Sequence, residues 1–213
     1  MSVQKSIDAD DHARIAEAIR AAEEKTNGEI YAVLARRSDD YFYAAGFVAA
    51  CGVIIAAIAA ALLAHWYWFD VSLPVFGLAI LAAFASVVLV LWLVPAVRMV
   101  LVPHRIRYRR AHLNAVQQFL ARNIHVTSER TGVLLFVSLA EHYAEVVADA
   151  GINAKVEQEE WNGIVAILTD HASRAAVADG YVAAIGKAGE LLAKHFPATG
   201  EKVNELSDHL VEL

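Results

Sequence analysis

One long apolar segment dominates what this chain can fold into. The stretch 41–97 contains a single charged residue, Asp70, which divides it into two uncharged runs. Each run exceeds the roughly 20 helical residues that cross a hydrocarbon core about 30 Å thick. The sequence therefore predicts a transmembrane helical hairpin whose two spans lie at about 43–65 and 73–97.

Composition sets limits on the rest of the chain. The 213 residues are 58% hydrophobic, with a mean hydropathy of +0.43 that is too high for an ordinary soluble domain. Outside 41–97 about 155 residues remain, enough for one compact domain. Five arginines and no acid lie in 98–110, whereas fourteen Asp/Glu face seven Lys/Arg after residue 110. A nucleic-acid binder would carry a basic folded part, so no nucleic acid is expected.

The arginines also predict topology. Arg36 and Arg37 precede the first span and the basic stretch 98–110 follows the second, but the turn 65–72 contains no Lys or Arg. The positive-inside rule then predicts a multi-pass protein of the inner (plasma) membrane with both termini in the cytoplasm. The basic stretch should also contact anionic head groups, which makes membrane lipids expected partners. The first forty residues are polar, so the first span is predicted to be an uncleaved anchor.

Small residues repeat along the first span. Gly52, Ala56 and Ala60 follow one another at four-residue spacing, a pattern that lets helix backbones approach closely. The stripe could pack only on the second span of the same chain, or it could also drive homo-oligomerisation. The single cysteine, Cys51, cannot form an internal disulfide or a cysteine-based zinc site, so it is interpreted as a packing residue.

The polar segments on both sides of the hairpin alternate between helical and strand patterns. A short apolar run at 29–35 and a longer one at 131–139 predict buried strands, and alternation at 143–149 predicts the second arm of a β-hairpin. Apolar residues at helical spacing predict the helices, which are 8–26, 104–122, 156–172 and 175–195.

This element order predicts the fold class. Once the hairpin is removed, the first strand, the helix at 104 and the second strand form a unit of the kind that gives a parallel pair. We therefore expect an α/β fold with a small mixed sheet flanked by helices, interrupted by the transmembrane hairpin. The predicted parts are the first half of a cytoplasmic α/β domain, the hairpin, the second half of that domain and a loosely held C-terminal tail, at 1–40, 41–97, 98–195 and 196–213.

Three short stretches carry a resemblance to a known family. They are KTNGEIYAV at 25–33, RTGVLLF at 130–136, and Gly151-Ile152 ahead of the helix that contains Trp161. With the element order over about 7–196, they resemble the TPM-domain family. The resemblance implies a TPM-like sandwich. Within that family, the chain is similar to a bacterial subgroup that carries a membrane hairpin inside the domain.

The resemblance also implies a chemistry. Some TPM members are similar to calcium-linked acid phosphatases, and Glu129, Asp149 and Glu157 are acids in loops or element ends near the predicted strand termini. These three are the candidate catalytic residues, and Glu129 and Asp149 are the candidate ligands for calcium or another divalent cation. Asn153 and Gln158 stand where family members carry carboxylates. Neutral amides attract a hard cation less strongly than carboxylates do.

Two functional hypotheses follow from these observations. The leading one is an integral membrane protein that displays a cytoplasmic TPM-like domain as an interaction or regulatory module, with a second copy or an unidentified protein as partner. The alternative is a weak divalent-metal-dependent acid phosphatase of the TPM type. A purely structural role is also open to acids such as Glu157, because carboxylates stabilise the first turn of a helix.

Overall fold

The structure is a computed structural model that describes residues 7–127, 130–199 and 204–213. Within these ranges it contains α-helices, one short 3-10 turn (Ile124–Val126) and strands. The helices are α1 (Ala9–Glu23), α2 (Phe42–Trp66), α3 (Leu73–Leu93), α4 (Pro95–Leu101), α5 (His104–Ala121), α6 (Ala150–Asn153), α7 (Gln158–Ser173) and α8 (Val177–His195). The strands are β1 (Glu29–Ala35), β2 (Gly132–Ser138), β3 (Tyr143–Ala148) and β4 (Leu210–Glu212).

The four strands form one mixed sheet in the order β3-β2-β1-β4. β1 pairs in parallel with both β2 and β4, and β3 pairs antiparallel with β2. The predicted parallel pair of β1 and β2 is therefore confirmed, as is a small mixed sheet flanked by helices. Strands from both sides of the apolar segment meet in this sheet, because β1 precedes α2 and the other three strands follow α5.

Both faces of β1 and β2 are buried, which explains their nearly continuous apolar sequences. Alternate residues of each strand point to opposite faces. On one face Ile30 and Leu135 pack with the helices α1, α7 and α8, and this layer holds the larger cluster of buried side chains. On the other face Tyr31 and Phe136 pack with Phe119 of α5 and with the 3-10 turn.

The C-terminal segment differs from the predicted loosely held tail. Leu210–Glu212 form β4, which pairs in register with the second half of β1. The Leu213 N–H donates to the Leu34 carbonyl at 2.9 Å, and Leu210 is buried in the larger cluster. The end of the chain is therefore part of the sheet.

The chain divides into two compact units, one formed by 39–107 and the other by the remaining residues. In the first unit, α2 and α3 are long and apolar enough to cross a membrane. The helix breaks inside the predicted second span, since α3 ends at Leu93 and α4 begins at Pro95. Proline has no N–H to continue the helix, so the α3 hydrogen-bond ladder stops there although the apolar composition goes on.

Arg98 completes the broken end of α3. Pro95 cannot donate to the Leu91 carbonyl, and the Arg98 Nε donates to that carbonyl at 2.6 Å instead. A terminal nitrogen of Arg98 donates to the Trp92 carbonyl at 3.2 Å, and the other forms a close ion pair with Asp40. Arg98 thus ties the end of α3 to the segment that leads into α2.

The small-residue stripe of α2 is exposed within its own unit. Gly52, Ala56 and Ala60 are all exposed, and a Cβ added to Gly52 would meet no heavy atom within 4 Å. The hypothesis that this stripe packs only on the second span is therefore wrong for Gly52. The stripe remains accessible to another helix.

A tyrosine hydroxyl links α8 to the sheet. Tyr181 is fully buried, and its hydroxyl donates to the Val33 carbonyl of β1 at 2.6 Å. Burial raises the pKa of Tyr181 well above its ordinary value of about 10. Tyr143 on β3 is shifted in the same direction, because partial burial and then the neighbouring Glu145 carboxylate raise its pKa.

The raised pKa of Tyr181 predicts that the folded protein loses stability at alkaline pH. A tyrosine whose pKa is raised by folding adds stability that is complete below pH about 10 and is lost at higher pH, as the unfolded chain releases its proton first. We expect the free energy of unfolding to fall by up to about 1.4 kcal/mol per pH unit above pH about 10 for such a group. Tyr181→Phe should make that fall shallower, and it should cost about 1 kcal/mol at neutral pH through the lost hydrogen bond. Unfolding measured from pH 8 to 11 tests this expectation, which an unchanged slope in Tyr181→Phe contradicts.

Candidate functional site

Two buried carboxylates lie at one end of the sheet, where β1 and β2 begin and β3 ends. Glu29 is in register with Gly132, and the Asp149 N–H donates to the Gly132 carbonyl at 2.9 Å from the opposite side. Glu29 and Asp149 therefore flank Gly132 on neighbouring strands. Strand spacing places their Cα atoms roughly 10 Å apart. By the alternation of each strand, both side chains belong to the sheet face that α5 covers.

The two carboxylate oxygens of Asp149 have different surroundings. As the N-cap of the short helix α6, its Oδ1 accepts from the Ala150 N–H at 2.6 Å. Its Oδ2 is buried and has no hydrogen-bond partner among the described residues. The whole residue is only 8% exposed. A buried carboxylate oxygen without a donor is costly, and a cation or a water molecule would satisfy it.

Glu29 is the residue that sequence reasoning missed at this end of the sheet. It is 2% exposed at the first position of β1, and its N–H donates to the Thr131 carbonyl at 3.1 Å. The Thr131 hydroxyl in turn donates to the Asn27 carbonyl at 3.1 Å, which joins the segments that lead into β1 and β2. The signal available in the sequence was a charged residue opening a strand that is otherwise buried on both faces.

The remaining predicted site residues do not join this pair. Glu129 lies outside the described residues, so its predicted roles as catalytic residue and metal ligand stay predictions. Glu157 is the exposed N-cap residue of α7, with no side-chain cap bond. Within 7–127, 130–199 and 204–213, no three His, Cys, Asp or Glu side chains are grouped in a way that could hold a metal ion.

Asn153 and Gln158, the two amides at positions where the resemblance to the TPM-domain family implies carboxylates, have local partners. The Asn153 side chain donates to the Ala148 carbonyl at 2.9 Å, and so ties α6 to the end of β3. The Gln158 side chain donates to Asn162 within α7 at 3.4 Å. Both bonds use the amide N–H group as donor, which a carboxylate could not supply.

A second polar cluster lies at the opposite end of β1 and β2. Glu141 is fully buried in the turn between β2 and β3, and it accepts from the Ser38 N–H at 3.1 Å and from the Ser138 hydroxyl. The hydroxyls of Ser38 and Ser138 are 2.8 Å apart. Because Ser138 donates to Glu141, the Ser38 hydroxyl is the donor to Ser138. This cluster anchors the residue at which the chain leaves the α/β unit.

These features define a mixed α/β domain into which two apolar helices are inserted between β1 and α5. No family model matches the chain, and no curated protein is significantly similar to it. Among solved structures, the chain is similar to the NMR structure of the BA42 protein from the psychrophilic bacterium Bizionia argentinensis, with a TM-score of 0.60 and 18% sequence identity. The match covers 99% of this chain and 98% of that one. At this level of identity the similarity concerns the fold alone.

Proposed function

We propose that the chain is an integral membrane protein anchored by α2 and α3, with its α/β domain displayed in the cytoplasm as an interaction or regulatory module. The observation that carries the proposal is the accessibility of two long apolar helices. They have 25 and 21 residues with mean hydropathies of 2.7 and 2.6, and 0% and 6% of their apolar windows are buried. Apolar side chains on all faces of a helix require lipid or protein around them.

A soluble core helix and a cleaved signal sequence can be equally apolar, but both fit this chain less well than a membrane anchor does. A core helix of a soluble domain buries its apolar residues, as α8 does with ten buried positions, whereas Ala45 is the only buried residue within α2. A cleaved signal sequence would have to end beyond α2, which would remove β1 from the centre of the sheet. Anchoring leaves the sheet intact and surrounds both helices with hydrocarbon.

The charge pattern supports the orientation that we propose. Arg36 and Arg37 stand before α2, the five arginines of 98–110 stand after α3, and no Lys or Arg occurs in 65–72. By the positive-inside rule, both termini and the α/β domain face the cytoplasm of a multi-pass inner-membrane protein. We propose that this domain is TPM-like, because the stretches at 25–33 and 130–136 and the pair Gly151-Ile152 resemble the TPM-domain family.

The accessible small-residue stripe supports self-association as part of the proposal. Membrane helices associate where small residues let their backbones approach, and Gly52, Ala56 and Ala60 are all exposed on α2. The full chain, crosslinked in membranes and purified in mild detergent, should run as an oligomer. Gly52→Ile with Ala56→Ile should reduce the oligomer strongly, whereas Ala61→Ile, at an exposed position of α2 outside the stripe, should not. A monomer that purifies without any stoichiometric partner contradicts the interaction module.

A second candidate function rests on Asp149. Its buried Oδ2 lacks a hydrogen-bond donor among the described residues, and this supports a divalent-cation site of the kind a weak metal-dependent acid phosphatase would use. Calcium at about 100 times its dissociation constant should stabilise the folded full chain by about 2.7 kcal/mol. The melting temperature in detergent should therefore rise on adding calcium.

The matched variant for this test is Asp149→Asn. Asparagine also caps helices, so α6 should keep its N-cap while the site loses its charge. If the site exists, Asp149→Asn removes both the calcium-induced rise in melting temperature and any metal-stimulated phosphate-ester hydrolysis. An equal rise in the variant, or none in the unmodified chain, rules out the phosphatase candidate.

A further inference from the structure

The outward side of α5 carries an unusual combination of side chains. We define the outer face of α5 as Arg109, Arg110, Leu113 and Leu120, all of which are exposed. Leu113 and Leu120 are 42% and 51% exposed. At about 100° per residue they point away from Ala115, which is buried against the sheet. Two large apolar side chains thus lie on the side of α5 that the α/β domain leaves uncovered.

The charge of this face is not balanced within the helix. α5 contains four arginines and two histidines but no Asp or Glu, so ion pairs three or four residues apart cannot form along it. The Arg109 side chain makes no hydrogen bond or ion pair with any described residue. The whole chain, by contrast, is acidic, with a net charge of -6. A basic face with apolar residues between its charges complements a surface that is both anionic and apolar just beneath.

We propose that the outer face of α5 lies on the membrane surface, where Arg109 and Arg110 bind anionic phospholipid head groups and Leu113 and Leu120 enter the head-group boundary. This inference rests on the proposed membrane anchor and names a partner for the domain attached to it. Only Val102 and Pro103 separate α4 from α5 along the chain, so the connection holds the start of α5 close to the anchor.

The chemistry favours lipid over a second copy of the chain. A guanidinium donates two parallel hydrogen bonds to a phosphate, and two arginines beside apolar side chains match the layered order of head group and acyl chain. A symmetric contact between two copies of this face would instead bring arginines opposite arginines, which is unfavourable.

The experiment uses the full chain reconstituted in vesicles, with one environment-sensitive fluorophore per molecule. The reporter is attached at Leu113→Cys in a Cys51→Ser background, and a solvent control is attached at Glu190→Cys in α8. The native Cys51 of α2, labelled in the otherwise unmodified chain, reports on the anchor. Quenching by spin-labelled lipid and by aqueous iodide is compared between phosphatidylcholine vesicles and vesicles that also contain phosphatidylglycerol.

The inference predicts that lipid quenches the Leu113 label in the anionic vesicles and that iodide does not reach it. Each arginine near an anionic surface strengthens binding about fivefold. Arg109→Gln and Arg110→Gln should therefore each lower the ratio of lipid-facing to water-facing label about fivefold. Arg174→Gln, on the helix layer at the other face of the sheet, should leave the ratio unchanged.

Three results overturn the inference in different ways. If the Cys51 label is lipid-quenched but the Leu113 label is as open to iodide as the Glu190 label, the anchor stands and the surface contact fails. If the Leu113 label is shielded from both quenchers and shows energy transfer between copies, the face binds a second chain. If the Cys51 label is not quenched by lipid, the anchor itself fails, and this inference fails with it.

Discussion

Replacing Gly132 with alanine is expected to disrupt the start of β2 and to destabilise the α/β domain by about 3 kcal/mol or more. A Cβ at this position would lie 2.6 Å from the Ile124 Cγ2 and in hard contact with the Ile124 carbonyl oxygen. The carbonyl belongs to the 3-10 turn that packs on the sheet, so it cannot move as a side chain does. Thermal unfolding and amide hydrogen exchange of β1 and β2 in the full chain measure the effect.

Gly163 is the matched control for this prediction. It lies within α7, and a Cβ added there would meet no heavy atom within 4 Å. Gly163→Ala should therefore stabilise the domain by about 0.5–1 kcal/mol, since alanine is the better helix former. Similar stabilities for Gly132→Ala and the unmodified chain would show that the turn does not press on β2.

Replacing Arg98 with alanine is expected to cost the hairpin unit about 3 kcal/mol. The change removes the donors to the Leu91 and Trp92 carbonyls at the end of α3, together with the ion pair to Asp40. Most of the loss should come from the carbonyls, because the Asp40 side chain is 56% exposed and exposed ion pairs contribute little. Unfolding of the full chain in mixed micelles with increasing denaturing detergent measures the cost.

Two further variants separate the contributions of Arg98. Asp40→Asn removes the negative charge that pairs with Arg98, and it should cost less than about 1 kcal/mol. Arg98→Lys keeps the charge but not the planar fork that reaches two acceptors, so its cost should fall between those of Asp40→Asn and Arg98→Ala. If Asp40→Asn costs as much as Arg98→Ala, the ion pair dominates and the role of Arg98 at the Pro95 break is wrong.

The elements that were predicted well are those whose signal is local. β1 was expected at 29–35 and has those bounds, because an apolar run is delimited by Asn27-Gly28 and by two arginines. β4 was missed, since three residues in a polar segment become a strand only through pairing with a distant β1. α3 ends at Leu93, within the predicted span 73–97, because hydropathy continues past Pro95 while the hydrogen-bond ladder does not.

The candidate site shows the same division. Asp149 was identified because a carboxylate at a strand end is visible in the sequence. Its neighbour Glu29 was not, because the register that brings both to Gly132 depends on a parallel pairing between segments about 100 residues apart. The hydrogen bonds that Glu141 accepts from Ser38 and Ser138 could not be predicted from the sequence either, because the hydrogen bonds of a turn depend on the folded geometry.

The central proposal, a cytoplasmic domain anchored by a membrane hairpin, is tested most directly by labelling the turn between the helices. In a Cys51→Ser background, Ser72→Cys lies between α2 and α3, and Ser207→Cys lies in the α/β domain. Intact cells that express the full chain are treated with a membrane-impermeant maleimide. The account predicts labelling at position 72 from outside, and labelling at position 207 only after permeabilisation. Protection of position 72 in intact cells, or release of the chain from membranes by alkaline carbonate, would contradict it.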